Sequence, residues 1–269
     1  MTPDIEQALF VVPARAASVG LPRKVVLDVA GRPLLWYTTE FLRRVAPIEN
    51  IAVVTDDNEV EELASQQGVR SIREPFVPPG QANAVGAVQH CVCELQARGL
   101  AWPYTVIVQP TQPVRTLQLL QRSLARLRAS SAADDTIDGC LTVTAVDSPG
   151  LQLRRDGSGR LTSWLSTPGI RQDMQPVYRV SGCYFIMRTD RFLAKCHDPQ
   201  FLYENLSWVT QEHPSFPWVD IDTERDGLQF ELLLNAGHWS LDLAVIPDKE
   251  ADAGQGEHQS QPVTESEPI

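Results

Sequence analysis

Short apolar runs rich in β-branched residues recur along the first half of the chain: ALFVVP at residues 8–13, NIAVVT at 50–55, YTVIVQ at 104–109 and CLTVTAV at 140–146. The first three run without the apolar–polar alternation of a half-exposed strand, are short for a helix and predict strands buried on both faces, and CLTVTAV is expected as a further strand. Helical patterns fill the intervals. Pro33 suits a helix N-terminus, and Leu34, Leu35, Thr38, Phe41 and Leu42 follow at helical spacing. DDNEVEELASQQ at 56–67 carries acids in its first turn, where the helix dipole favours them, and Gly68 is placed to end it. Further helices are expected over 81–97 and from about Leu117 to Arg128. Alternation of this kind predicts an α/β fold with a mostly parallel sheet flanked by helices.

The rhythm changes after residue 147. Pro149, Gly150, Asp156, Gly157, Gly159, Pro168 and Gly169 surround the short alternating segments LQLRR and RLTSWL. The pattern over 148–175 predicts a β-hairpin excursion, a small subdomain or oligomerisation arm. The strand VYRVSGCYFIMR, the segment PWVDID and a helix from about Glu224 to Asn235 return the chain to the core.

Charge narrows the choice of partner. The 269 residues carry 34 acids and 23 bases, a formal net charge of −11, which excludes the broad basic face that nucleic acid or an anionic membrane requires. Residues 248–269 hold six acids against Lys249 alone and almost no large apolar side chain. A segment of that composition cannot offset its ordering entropy, so a disordered acidic tail is expected beyond a single domain at 1–247. The five cysteines are scattered, without a paired CxxC spacing, as suits a reducing compartment. The polar start MTPDIEQ and the lack of any apolar run near ~20 residues make a cytoplasmic protein the expectation.

Three segments carry candidate chemistry. The loop after the first strand, PARAASVGLPRK at 13–24, holds Arg15, Arg23 and Lys24 with Ser18 and Gly20 between them. Ligands of a parallel sheet bind beyond the carboxyl ends of its strands, and three cations with a hydroxyl there suit a polyphosphate. Neither GxGxxG nor GxxxxGK[ST] follows the strand, which disfavours a nicotinamide oxidoreductase and a P-loop. In WVDID, Asp220 and Asp222 would share one face of a strand while Val219 and Ile221 face the core. Two carboxylates on one face suit Mg²⁺, which takes one or two of them together with substrate phosphate oxygens, and metal-assisted phosphoryl or nucleotidyl transfer follows. In QPTQPVR, at 109–115, Gln109 and Thr111 would project from a strand end stiffened by Pro110 and Pro113. His90, His197, His213, His238 and His258 show no metal spacing and are read as structural.

These segments, in this order, resemble the cytidylyltransferases that activate acidic sugars, above all the CMP-sialic acid synthetases (N-acylneuraminate cytidylyltransferases). The resemblance rests on Pro13-Ala14-Arg15 through Ser18, Gly20, Pro22 and Lys24, on VVTDDNEV at 53–60, QPTQPVR, RQDMQPVYRVSGCYFI at 171–186 and VDIDTERD at 219–226. It spans residues 9 to about 235. It implies attack by the sugar's anomeric hydroxyl on the α-phosphate of CTP, giving CMP-sugar and pyrophosphate. It further implies that Arg15 and Lys24 hold the triphosphate and that Ser18 shapes the loop. Arg23 joins that nucleotide-side group as the loop's third cation, and Arg73 resembles a nucleotide-side arginine. Gln109 and Thr111 fall on the sugar side, Arg171 resembles an arginine that pairs with the sugar carboxylate from the partner of a dimer, and Asp220 and Asp222 match the Mg²⁺ ligands. Arg15, Lys24 and Asp222 are the expected catalytic group, and 148–175 the dimerisation arm.

The loop departs from the family's pattern. Ala16, Ala17 and Val19 stand where glycines and a lysine are usual, Val25 replaces an asparagine that contacts the nucleotide, and Gln112 replaces a common serine. The expectation is an α/β enzyme with a Rossmann-like, mostly parallel sheet flanked by helices and a small β-hairpin dimerisation arm. It would act as a cytoplasmic homodimer on CTP, Mg²⁺ and a sialic or other nonulosonic acid. The alternatives are the same chemistry on 3-deoxy-octulosonate or a phosphonate, and a relative that binds the nucleotide without turnover.

Overall fold

The computed structural model describes residues 3–15, 21, 23–75, 77, 83–146, 153–155, 161–163, 177–198, 200–211 and 218–246. The expected tail, most of the expected arm, and Ser18 and Arg171 lie outside them. In chain order the elements are α1 (Pro3–Glu6), β1 (Ala8–Pro13), β2 (Asp28–Val29), β3 (Arg32–Pro33), α2 (Leu34–Val45), β4 (Ile51–Thr55), α3 (Asn58–Gln66), β5 (Arg70–Arg73) and α4 (Ala84–Ala97). They continue with β6 (Tyr104–Ile107), α5 (Leu117–Ala133), β7 (Gly139–Ala145), β8 (Leu153–Arg155), β9 (Leu161–Ser163), β10 (Tyr178–Arg188), α6 (Thr189–Lys195), β11 (Leu206–Thr210), α7 (Glu224–Asn235) and α8 (Leu241–Ala244).

Seven strands form one sheet in the order β11-β7-β10-β6-β1-β4-β5. β1 pairs in parallel with β4 and β6, β4 with β5, and β11 with β7, whereas β10 runs antiparallel to both β6 and β7. Six strands therefore share one direction, giving the mostly parallel sheet expected, and two of them, β5 and β11, are strands that no apolar run announced. β8 and β9, within the expected arm, pair antiparallel with each other.

Both faces of the sheet are covered. Phe10, Val12, Ile51, Val53 and Val106 pack on one side with Leu34, Leu35 and Phe41 of α2, Leu120 and Leu124 of α5, and Phe230 of α7. Leu9, Val11, Ala52, Val54 and Ile107 pack on the other with Val88, Cys91 and Leu95 of α4 and Phe192 of α6. This two-sided burial explains why the strands read as unbroken apolar runs.

Helix boundaries follow their caps. The Asp57 side chain accepts from Glu59 N, Asn83 from Gly86 N, and Thr116 from Leu119 N. Asn83 starts α4 at Ala84, inside the expected 81–97. α5 runs to Ala133, beyond the expected Arg128, through a polar last turn that closes with Asp134 N donating to Ser130 O. The larger correction concerns WVDID. Residues 218–222 join no strand ladder. The expected alternation survives as extended backbone, with Val219 and Ile221 buried at 3% and 0% exposure. Ile221 N donates to Thr111 O at 2.8 Å, and this bond fixes the segment against the turn after β6.

Candidate active site at the carboxyl ends of the central strands

The carboxyl ends of β1 and β6 open into a cavity of about 310 Å³ lined by Pro13, Arg15, Lys24, Val25, Ala84, Gln109, Pro110, Thr111, Asp220 and Asp222. Chain segments up to about 200 residues apart in sequence converge here. Of the residues singled out by sequence, the structure brings together Arg15, Lys24, Gln109, Thr111, Asp220 and Asp222.

Arg15 follows directly from β1, where Ala14 N donates to Val54 O and holds the strand end in place. Its Nε donates to Glu74 Oε2 at 2.6 Å, and its Nη2 is paired with Glu74 Oε1. Glu74 is 6% exposed and is anchored by its own N–H to Thr55 O. Two parallel bonds to a buried carboxylate fix the plane of the guanidinium at the cavity wall. Sequence reasoning missed Glu74. Its signal was its position directly after a short strand.

Lys24 opens a short 3-10 turn, Lys24–Val26, preceded by Arg23 in the left-handed region at φ 57. Its Nζ lies 2.7 Å from Asp222 Oδ1. Val25 is 4% exposed, belongs to the apolar core and also lines the cavity. At this point the wall presents no hydrogen-bonding side chain.

Arg23 and Arg73 are placed elsewhere. Arg23 pairs with Glu59 and approaches Asp57 at 3.5 Å, while Arg73 Nη1 donates to Asn58 Oδ1 at 2.7 Å and meets Glu61 at 3.2 Å. Both arginines are drawn to the acidic first turn of α3, and neither lines the cavity. The acids that mark that helix in the sequence are the physical reason.

Asp220 is largely buried, and burial raises its pKa; the Thr111 hydroxyl opposes the shift, the Asp222 charge reinforces it, and Lys24 and Gln112 oppose it further. One oxygen, Oδ1, is buried with no hydrogen-bond partner. Asp222 is positioned from below by α7. Thr223 caps this helix in a reciprocal capping box with Asp226, whose Oδ2 also accepts from Asp222 N at 3.1 Å. The spacing T-x-x-D in VDIDTERD is the signal that identifies Asp226 as the residue that holds the backbone of Asp222.

A larger cavity of about 620 Å³ lies at the opposite end of β6, beside Trp102, Tyr104, Arg128 and Arg188. Its two arginines are already matched to acids, Arg188 to Asp135 at 2.7 Å and Arg128 to Asp4 at 3.1 Å. No group of three or more His, Cys, Asp or Glu among the described residues is arranged to hold a metal. A metal at the smaller cavity would therefore rest on two carboxylates and its ligand.

Residues 9–200 match the cytidylyltransferase family, and the chain belongs to it. Its curated relatives include the CMP-N,N'-diacetyllegionaminic acid synthase of Legionella pneumophila, 23% identical over 87% of this chain and 98% of that protein. Others are the N-acylneuraminate cytidylyltransferase of Streptococcus agalactiae, 22% identical over 88% of this chain and 54% of that one, and the pseudaminic acid cytidylyltransferase of Campylobacter jejuni, 26% identical over 43% and 50%. The chain spans about half the length of the latter two. Among solved structures, a CMP-2-keto-3-deoxy-manno-octonic acid synthetase complexed with CTP superimposes with a TM-score of 0.60 and 17% identity, covering 86% of this chain and all of that one. A 4-diphosphocytidyl-2C-methyl-D-erythritol synthase from Anaerococcus prevotii gives 0.56 and 14% over 86% and 100%. These likenesses confirm the α/β fold expected from the sequence.

Proposed function

We propose that this chain transfers CMP from CTP to the anomeric hydroxyl of an acidic sugar of the sialic or nonulosonic type, releasing pyrophosphate. The observation that carries the reading is the convergence of Arg15 and Lys24, Gln109 and Thr111, and Asp220 and Asp222 on one cavity. The relatives named for sialic, pseudaminic and legionaminic acids support it.

Arg15 and Lys24 bind the triphosphate. Glu74 restrains Arg15 so that little orienting entropy is lost when phosphate arrives. Gln109 and Thr111, on a turn stiffened by Pro110, orient the sugar against the α-phosphate. The carboxylates fit Mg²⁺, because Asp220 Oδ1 is a buried, unpartnered anionic oxygen and Asp222 adds a second hard donor. A metal held there would withdraw charge from the α-phosphate and the leaving pyrophosphate. Lys24 is held by Asp222 at 2.7 Å and would be freed for phosphate oxygens where that carboxylate took a metal.

The reading extends to a homodimer built by residues 148–175, with Arg171 completing the partner's sugar site; the antiparallel β8–β9 pair supports an arm of that kind. The cysteines described without a disulfide, all five of the chain, suit a reducing compartment such as the cytoplasm. Incubation with CTP, Mg²⁺ and a panel of sialic, legionaminic, pseudaminic and 3-deoxy-octulosonic acids, followed by mass spectrometry, tests the reading. A CMP adduct of a nonulosonic acid is expected. An adduct with 3-deoxy-octulosonate alone moves the acceptor, and bound CTP with no adduct at all overturns the assignment.

A further inference from the structure

Arg115 is 1% exposed, and among the described residues its partners are backbone carbonyls. Its Nε donates to Gln112 O at 3.1 Å, its Nη2 donates to Gln109 O at 2.8 Å and also to Gln112 O, and its Nη1 is buried without a partner. A guanidinium is costly to bury, and one held by neutral carbonyls is retained against that cost. The two carbonyls it spans bracket the turn that carries Gln109 and Thr111, which is also closed by Gln112 N donating to Gln109 O at 3.2 Å. From the middle of that turn, Thr111 O accepts from Ile221 N, between Asp220 and Asp222. Behind it, Trp239 Nε1 donates to Arg115 O at 3.3 Å and ties the residue to the buried aromatic group of Tyr37, Phe230 and Trp239.

We propose that Arg115 is a positioning residue that locks the sugar-side turn to the segment bearing the acidic pair, so that acceptor and α-phosphate meet at a fixed separation. The inference rests on the proposed cytidylyl transfer and deepens it. A rigid fork is what the task needs. One planar group satisfies two carbonyls three residues apart, which a lysine ammonium on a flexible stem cannot do with the same geometry. Gly182 completes the mould from the opposite side: at φ +76 it lies so close that a Cβ would come within 2.8 Å of Gln109 Oε1 and 3.5 Å of Gln112 Cγ.

The test is Arg115→Lys, which keeps the charge and removes the fork. Two readouts separate positioning from general stability. Amide hydrogen exchange of the unliganded protein should show Gln112 and Ile221 losing protection by about tenfold, as expected when a hydrogen-bonded tie is released, with Val11, Val53 and Val106 unchanged. Kinetically, kcat/KM for the acceptor should fall by about 100-fold, the effect of a small misplacement, while the dissociation constant of CTP stays within about twofold. Unchanged protection at both amides, or an equal loss across the central strands, overturns the proposal, as does an equal loss of CTP and acceptor affinity. If the wild-type protein makes no CMP adduct, the functional reading has failed and the exchange comparison alone still decides the tie. If Arg115→Lys does not fold, the wild-type protein decides it: the Gln112 and Ile221 amides must open together with one denaturant dependence, and two different dependences contradict the lock.

Discussion

Lys24 Nζ and Asp222 Oδ1 stand 2.7 Å apart, an ion pair between residues 198 positions apart in the lining of the cavity at the carboxyl ends of β1 and β6. A cation suited to phosphate and an acid suited to a metal thus neutralise each other in the unliganded chain, and the metal–nucleotide complex would exchange both partners at once. Replacing Asp222 by Asn should lower kcat by about 100-fold or more, the scale of a lost metal contribution. The pair is partly open to solvent, with Asp222 62% exposed, so unfolding free energy should change by no more than about 1 kcal/mol. Steady-state kinetics with chemical denaturation checks both. A variant as active as the parent removes Asp222 from the proposed metal site.

Glu74 behaves differently because it is buried. Glu74→Ala leaves the Arg15 guanidinium without its carboxylate in a half-closed site, and a loss of about 3 kcal/mol is expected from breaking a buried pair on one side. Glu74→Gln keeps the shape and one acceptor, so it should fold nearly as well while raising the KM for CTP more than that for the acceptor. Equal kinetic effects on the two substrates would show that Glu74 does not act through Arg15.

Gly182→Ala probes the proposed acceptor side of the cavity. The residue sits at φ +76, which costs an alanine about 1–2 kcal/mol, and the new methyl group meets the Gln109 side chain. Stability should fall by about that amount, and the acceptor KM should rise with little change in nucleotide binding. Calorimetric titration of CTP into the variant gives the second half of the comparison.

Thiol reactivity tests the packing. Burial pushes Cys91 and Cys183 up to about 12 and Cys140 up to about 11, while Cys93 is exposed. These shifts favour the neutral thiol, so at pH 8 a group with a pKa of 12 is only ~1 part in 10,000 thiolate. A thiol reagent should modify Cys93 quickly and Cys196, partly buried, more slowly. Cys91, Cys140 and Cys183 should react only in denaturant, and rapid native modification of any of these three contradicts the core described above.

The parts of the molecule that the sequence revealed are those with a local signature. Unbroken apolar runs betray strands buried on both faces, and the acids after Thr55 mark the first turn of α3. Arg15, Lys24, Gln109 and Thr111 were singled out because the segments after β1 and β6 must lie at the ligand end of the sheet, and Asp220 and Asp222 because they alternate in WVDID; all six line one cavity. Tertiary partners were not legible. Arg23 and Arg73 carry the right charge for phosphate, but the acids of α3 compete for them, and only folding shows which acid is near. Asp220 and Asp222 alternate as a strand would, yet among the described residues a bond from Ile221 N to Thr111 O stands where a ladder was expected. Glu74 and Arg115 escaped notice because a buried charge has no local pattern; its meaning comes from the carbonyl or carboxylate that folding sets beside it.

The most direct measurement is pyrophosphate release from CTP and a nonulosonic acid in the presence of Mg²⁺, run side by side for the wild-type chain and Asp222→Asn. Rapid release that requires the acid and falls by about 100-fold in the variant is the predicted result. No acid-dependent release by the wild-type chain, with CTP still bound, would contradict the central claim.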